Sequence, residues 1–172
     1  HRERRNETTS RTDGKGNEIR GYEIRGHGGY KSKAAGTDSS SSAWVAVPSG
    51  ISPDNVRSVF FCESAFDAMA FYQLRTEPLK RQIAEYQKQY KDDPSVHDTL
   101  AYLKEEVGKY DNAVYVSTGG SPSLQQLKGV LSKTEKADQH VCFDNDKAGH
   151  VFAVDLLLTR AGRNFQTTLL DN

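Results

Sequence analysis

The sequence is poor in the features that mark several large classes of protein. Its two cysteines, Cys62 and Cys142, lie far apart and form no Cys-x-x-Cys pair. A structural zinc site built on thiolates is therefore excluded. Both thiols sit in apolar, strand-like runs and read as buried and reduced, with a disulfide left open. No apolar run approaches the ~20 residues of a membrane span, and no signal-peptide pattern opens the chain. Membrane and secretory roles are disfavoured, and a cytoplasmic protein is expected. Apolar residues make up only 35% of the chain and charged residues 27%, against a usual apolar share of about 45–50% that also counts Gly. A normal core with sizeable solvated segments follows. Charge of one sign is lacking too, with 23 basic and 23 acidic side chains. Domains that coat nucleic acid without regard to sequence are usually strongly basic, so that role is a poor fit. The chain starts at His1, contains one methionine, Met69, and reads as a piece of something longer.

What is present divides into three stretches. Residues 1–18 are charged and aperiodic, the composition of a disordered or linker segment. Residues 19–54 form a small β-rich basic segment. In it Tyr22 and Ile24 alternate on one face of a short strand, and Ala43-Trp44-Val45-Ala46-Val47 makes a second strand before Pro48. From Arg2 to Lys33 there are nine basic and five acidic residues. That local excess is a pointer toward a phosphate-bearing partner, although a solvated surface explains it equally well. Trp44 and Tyr22 offer a stacking platform for single-stranded bases, or simply pack the local core.

Residues 55–172 follow a different grammar. Val56–Cys62, Ala113–Ser117 and His140–Phe143 are strands, the first two nearly continuous apolar runs of the kind buried on both faces of a parallel sheet. Asn164–Leu169 is a candidate fourth. Helices follow at Ser64 onward, Ser121–Leu131 and Lys147–Thr159, the last with Val151, Val154, Leu157 and Leu158 on one stripe. Alternating strands and helices predict a doubly wound α/β fold with about four mainly parallel strands. Residues 76–111 exceed what that grammar needs. Leu79, Ile83, Tyr86 and Tyr90, then Val96, Leu100, Leu103, Val107 and Tyr110, predict an inserted helical hairpin, with Asp93 capping its second helix. It reads as an arm packed on itself, or as a dimer or nucleic-acid contact.

Sites in parallel sheets are built at the carboxyl ends of the strands. Glu63 follows the first strand, and Asp144 and Asp146 follow the third. Side chains at i and i+2 of an extended segment project to one side, so the two aspartates can share a spot. Three carboxylates there suit Mg²⁺ or Mn²⁺ rather than zinc. An aspartate at a strand-to-helix junction is also what a plain N-cap looks like. Asp67, four residues after Glu63, is an outer-shell carboxylate or a partner of the helix dipole. Gly119 and Gly120 let backbone approach a ligand or only form a turn. Lys147 is placed to meet phosphate at a helix N-terminus, or is merely solvated. His140 and His150 have no second histidine at ligand spacing and read as ordinary.

Three segments carry a family resemblance. Phe61-Cys62-Glu63-Ser64-Ala65-Phe66-Asp67-Ala68 resembles the first Toprim signature, Ser117-Thr118-Gly119-Gly120-Ser121-Pro122 its Gly-containing turn, and Phe143-Asp144-Asn145-Asp146-Lys147-Ala148-Gly149 the Asp-x-Asp segment of the primase-like branch. The likeness spans about residues 56–170. Gly21-Tyr22-Glu23-Ile24-Arg25-Gly26 and Gly36-Thr37-Asp38 are similar to the region ahead of Toprim in primase-like proteins of bacterial plasmids and conjugative transposons. The resemblance implies metal-dependent chemistry at a phosphodiester, with Glu63 as ligand or general acid/base and Asp144 and Asp146 holding Mg²⁺ or Mn²⁺. It implies single-stranded DNA and nucleoside triphosphates as partners, with a replicative helicase or other domains of the parent chain beside them. Primase-like nucleotidyl transfer is the favoured expectation, and the fragment need not be active alone. Toprim-type endonuclease or topoisomerase-like cleavage and a non-catalytic scaffold for DNA or protein are the alternatives. Ser64 stands where the family commonly has Gly, so an altered turn is expected there.

Overall fold

The computed structural model describes residues 7–12, 19–52, 55–91 and 93–161. Its central sheet is built on two short apolar strands, Ser58–Cys62 and Ala113–Ser117, that are buried on both faces, with the polar and largely exposed Asp138–Cys142 at one edge. β5 (Ser58–Cys62), β6 (Ala113–Ser117) and β7 (Asp138–Cys142) run parallel, with β5 in the middle. β4 (Trp44–Ala46) adds antiparallel to the outer side of β6, giving the order β4-β6-β5-β7. The α/β class and the mostly parallel four-stranded sheet expected from the sequence are both present. The fourth strand differs from the expected one. Trp44–Ala46, grouped above with the N-terminal segment, pairs with β6, and the candidate strand Asn164–Leu169 lies outside the described residues.

Alternation along the strands supplies two cores. Val59, Phe61, Val114 and Val116 point to one face and pack with Leu127, Leu131 and Leu156. Those last three belong to α3 (Leu124–Leu131) and α4 (Lys147–Arg160). Phe60, Cys62 and Tyr115 point to the other face, against Ala68, Phe71, Tyr72 and Tyr110 of α1 (Ala65–Gln89) and α2 (His97–Asp111). Phe60 lies between the rings of Tyr115 and His140, at centroid distances of 5.2 and 4.6 Å. The exposed His140 is thus a stacking partner in this aromatic group. Cys62 and Cys142 are free and stand opposite each other in the β5–β7 register. The Cys62 thiol bonds the Cys142 sulfur, and that contact, with burial, pushes Cys62 up.

The long connection is a helical hairpin, but its first helix is not separate. α1 continues unbroken from the end of β5 through Pro78 to Gln89. The hairpin closes on polar contacts, with Tyr72 Oη donating to Asp111 Oδ1 at 2.6 Å and Lys80 Nζ to Tyr72 Oη at 2.8 Å. Asp93 accepts from Ser95 N at 2.8 Å and caps a 3₁₀ turn at Pro94–Val96 that leads into α2, rather than capping α2 itself as the sequence suggested. α4 departs from its expected stripe. Leu156 is buried, whereas Val154 and Leu157 are 51% and 62% exposed. That helix is apolar on more than one side, so periodicity alone could not choose the face.

A second, three-stranded antiparallel sheet precedes the main one: β1 (Glu7–Thr12), β2 (Ile19–Arg25) and β3 (Lys31–Lys33). Residues 7–12, read above as linker, are therefore a strand. The face of β2 is also reversed from expectation, with Tyr22 41% exposed and Glu23 buried. The inward face meets polar strand ends rather than apolar side chains. Gly21 is needed here, since a Cβ would sit 2.3 Å from Thr37 Cγ2. Thr37 Oγ1 in turn accepts from Tyr22 N at 3.2 Å, folding the chain after β3 back onto β2.

Phe61 has no exposed surface, so Phe61→Ala is expected to cost about 3–5 kcal/mol in urea unfolding. Tyr72→Phe removes one partly buried hydroxyl and should cost about 1 kcal/mol. A larger loss for Tyr72→Phe would mean that the hairpin latch, rather than the sheet core, limits stability.

Candidate functional site at the strand ends

The register of the parallel strands sets the site. Cys62 is level with both Ser117 and Cys142, so the residues that follow, Glu63, Thr118 and Phe143, leave the sheet at one height. Glu63 Oε1 accepts the backbone N–H of Asp144 at 3.2 Å, joining the ends of β5 and β7 directly. Burial first, then the neighbouring Asp144, Asp146 and Asp67 carboxylates, push the Glu63 carboxyl above its ordinary value, against the lowering by the Asp144 N–H. Carboxylates of one sign have been collected at a half-buried place, which is where a cation or a proton is favoured.

Each neighbour is positioned by a local device. Ser64 is extended at φ −131° and caps α1, its hydroxyl accepting from Asp67 N at 3.2 Å. Glycine's freedom is therefore not required at that position, and serine fits the turn. The Ser64 hydroxyl also donates to the Asp67 carboxylate, which holds Asp67 at the cleft. Gly119 and Gly120 have φ of 68° and 101°, left-handed values that favour glycine. Gly119 N donates to Ser117 Oγ at 3.1 Å and Gly120 N to Glu63 O at 2.9 Å. Both amides are committed inside the fold, and the turn holds the Glu63 backbone.

Asp146 is the N-cap of α4, accepting from Gly149 N at 2.8 Å. The plain-cap reading of this aspartate thus describes its contact in this structure. Gly149 is fixed by crowding, because a Cβ there would stand 1.9 Å from the Asp144 carbonyl oxygen. The absence of that side chain lets the first turn of α4 sit against the Asp144 loop. His150 Nε2 lies 3.0 Å from Asn145 Oδ1, an ordinary surface contact.

Glu63, Asp67, Asp144, Gly119 and Gly120 line one cleft of about 390 Å³. Asp146 and Lys147, the remaining two residues selected from the sequence, are exposed and stand outside its lining. The cleft's other wall is the N-terminal sheet, through Glu23, Arg25, Lys31 and Lys33. Glu23 was not selected from the sequence. It is 4% exposed, and its Oε1 accepts from Ser117 Oγ at 3.2 Å. The signal that finds it is a carboxylate inside a short alternating strand otherwise flanked by arginines.

The Toprim-like family model matches residues 95–171. No curated protein and no solved structure matches the chain significantly. The Toprim-like stretch carries Gly119, Gly120, Asp144, Asp146 and Lys147, and it places the chain's chemistry in the general class of metal-dependent domains that work on nucleic acids. Glu63 and Asp67 precede that stretch and enter the site through β5 and α1. Among the described residues, no three His, Cys, Asp or Glu side chains close into a metal-binding group. The donor chemistry nevertheless suits Mg²⁺, which keeps several waters and binds through one or two carboxylates together with substrate phosphates. Glu63 and Asp144 are carboxylate residues of this cleft that one hydrogen bond joins, Asp144 taking part through its backbone N–H. No helix among the described residues is long and apolar enough to cross a membrane.

Gly149→Ala should push the Asp144 loop away from α4, lowering stability and weakening divalent-ion binding together. Ser64→Ala removes the α1 cap and the hydroxyl that engages Asp67, leaves the Asp144 loop in place, and should cost about 1 kcal/mol. Thermal melts read beside an ion titration separate the two. Wild-type ion affinity in Gly149→Ala would show that the helix packing does not position Asp144.

Proposed function

We propose that this chain carries a metal-dependent site for phosphodiester chemistry on nucleic acid, with primase-like nucleotidyl transfer on single-stranded DNA as its reaction. The observation that carries the reading is the 3.2 Å bond from Asp144 N to Glu63 Oε1 inside a cleft that Asp67 also lines. Glu63 and Asp144 would hold Mg²⁺ or Mn²⁺, and Asp146 would join them by giving up its cap on α4. A bound divalent ion supplies Lewis-acid stabilisation of charge on phosphate oxygens. The chain's own part is to orient: the Gly119–Gly120 turn fixes the Glu63 backbone, and Gly149 lets Asp144 lie against α4. Single-stranded DNA and nucleoside triphosphates are the proposed partners. The primase-like form of the Asp144–Gly149 segment favours synthesis over strand cleavage.

Calorimetric titration of Mn²⁺ and Mg²⁺ tests the site. Saturable binding is expected, lost in Glu63→Gln and in the Asp144→Asn/Asp146→Asn double variant. Equal binding in all three proteins would sink the reading. Primer synthesis on a single-stranded template, set beside nicking of supercoiled DNA, then distinguishes transfer from cleavage.

The raised Glu63 also makes a stability prediction. A carboxyl whose folded value lies above its unfolded value stabilises the fold when protonated, and that contribution is lost as pH rises through the folded value. Without metal, Glu63→Gln should therefore melt higher than the wild type at neutral pH, with the difference shrinking in acid. A lower melting temperature at neutral pH would show that the Asp144 N–H outweighs burial and repulsion.

A further inference from the structure

The fold brings the chain's two cysteines together. Cys62 and Cys142, eighty residues apart, are directly opposed in the parallel register of β5 and β7. Both side chains lie on the sheet face covered by α1 and α2, where the two thiols are in contact. Neighbouring strands run about 4.8 Å apart, which leaves the two Cβ atoms just beyond the roughly 3.5–4.5 Å that a disulfide spans. A bond between them therefore needs only a small inward movement of β7. That strand is at the edge of the sheet among the described residues, with Asp138, His140 and Val141 exposed, so little opposes the movement.

The two sulfurs differ in access. Cys62 has no exposed surface. Cys142 is half-buried and lines a second cleft, of about 470 Å³, together with Phe71, Arg75, Lys109 and His140. This cleft shares no lining residue with the one that holds Glu63 and Asp144. A small molecule can thus reach Cys142 without entering the candidate cation site. Arg75, whose guanidinium lies over the Phe71 ring at 5.3 Å, puts positive charge on the wall and favours an anionic reagent.

We propose that Cys62 and Cys142 form a reversible disulfide across the ends of β5 and β7, made by exchange with an anionic small-molecule disulfide that reaches Cys142 through the second cleft, and that this bond restrains the cation site. Cys142 Sγ, its proton lost to water, attacks one sulfur of the small disulfide. That S–S bond breaks, the departing thiolate takes up a proton, and a mixed disulfide remains on Cys142. Cys62 Sγ then attacks Cys142 Sγ, and its proton leaves with the second small thiol. Two protein thiols are oxidised to one disulfide while one small disulfide is reduced to two thiols. A bond that draws strands together stores strain and is easily reduced, as a reversible link requires. Glu63 follows Cys62 directly, and Asp144 lies two residues beyond Cys142. The inward movement of β7 carries the Asp144 loop toward Glu63 and narrows the gap for a divalent ion, which keeps several waters when bound. The disulfide is independent of the function proposed above, whereas its effect on cation binding rests on that reading.

The test treats the full chain with oxidised glutathione, counts free thiols by alkylation in denaturant, and maps cross-linked peptides by mass spectrometry. The wild type should lose both thiols together, as a monomer carrying a Cys62–Cys142 link, and excess reduced glutathione should restore both. Cys62→Ala should instead accumulate glutathione on Cys142, because no second sulfur stands opposite to expel it. Arg75→Gln should slow the reaction with oxidised glutathione severalfold but leave that with uncharged hydroxyethyl disulfide unchanged. In calorimetry the oxidised protein should bind Mn²⁺ about tenfold more weakly, within what disturbing the surroundings of a metal ligand costs, and reduction should restore the affinity. Cys142→Ser, treated alike, should keep wild-type affinity. A lasting glutathione adduct on wild-type Cys142, a cross-link between two chains, or two thiols left free overturns the disulfide. Equal ion affinity in oxidised and reduced protein overturns its control of the site. If the link forms and neither form binds an ion, the proposed function fails and the disulfide stands. Ion binding without the link leaves the function and removes the disulfide.

Discussion

The buried hydroxyl of Ser117 is where three parts of the chain meet. Its one proton is shared between Glu23 Oε1 from the N-terminal sheet at 3.2 Å and the Glu63 carbonyl at 3.3 Å, and its oxygen accepts the N–H of Gly119 at 3.1 Å. A carboxylate taken out of water is costly unless hydrogen-bonded, so Glu23 can stay at 4% exposure only while such partners remain. The same hydroxyl steadies both the turn after β6 and the backbone of Glu63. Through it, the position of the basic wall and the position of the candidate metal ligand are set by one group.

A second polar junction, on the other side of β6, does similar work for the connection into β4. The Asp38 carboxylate accepts from the amides of Ser40 and Ser41 and from the Ser40 hydroxyl, at 3.0 to 3.1 Å, and also from the Ser41 hydroxyl. The Ser41 bonds, first among these, pull Asp38 down to about 2. The turn so formed presents the Ser42 carbonyl to Gln126 Nε2 at 2.6 Å, and Gln126 belongs to the capping box of α3. A lowered carboxyl contributes stability above its unfolded value and loses it as pH falls toward the folded one, here between about 4 and about 2. The loop that carries the N-terminal sheet onto the α/β body is thus secured across the neutral range.

Much of this was legible in the sequence because it depends on local rules. The apolar runs ending at Cys62 and Ser117 are long enough to name buried parallel strands, and residues after such strands collect at one edge. That is why Glu63 and Asp144 could be paired although eighty residues separate them in the chain. What was not legible depends on which face meets which. Glu23 looked like the solvent side of a strand because alternation shows that two faces exist, not what each one touches. Trp44–Ala46 looked like part of the small sheet because three residues cannot announce a partner some seventy positions away. Asp146 illustrates the remaining ambiguity. Its position suits both a ligand and an N-cap, and only coordinates could show that its carboxylate bonds Gly149 N.

The balanced net charge conceals a separation that bears on function. Long-range attraction of a polyanion scales with the field at the site rather than with the sum over the molecule. Within one cleft, Arg25, Lys31 and Lys33 stand across from Glu63, Asp67 and Asp144. Here Arg25 is drawn over the ring of Phe66, and Asp67 is engaged by Ser64. Glu63 is occupied by the Asp144 N–H. Each of these contacts consumes a charge's local bonding without cancelling its charge. Each of these groups is held on its own side of the cleft, so the field that a cation or a phosphate would meet there is set by the fold rather than by the balanced sum over the chain.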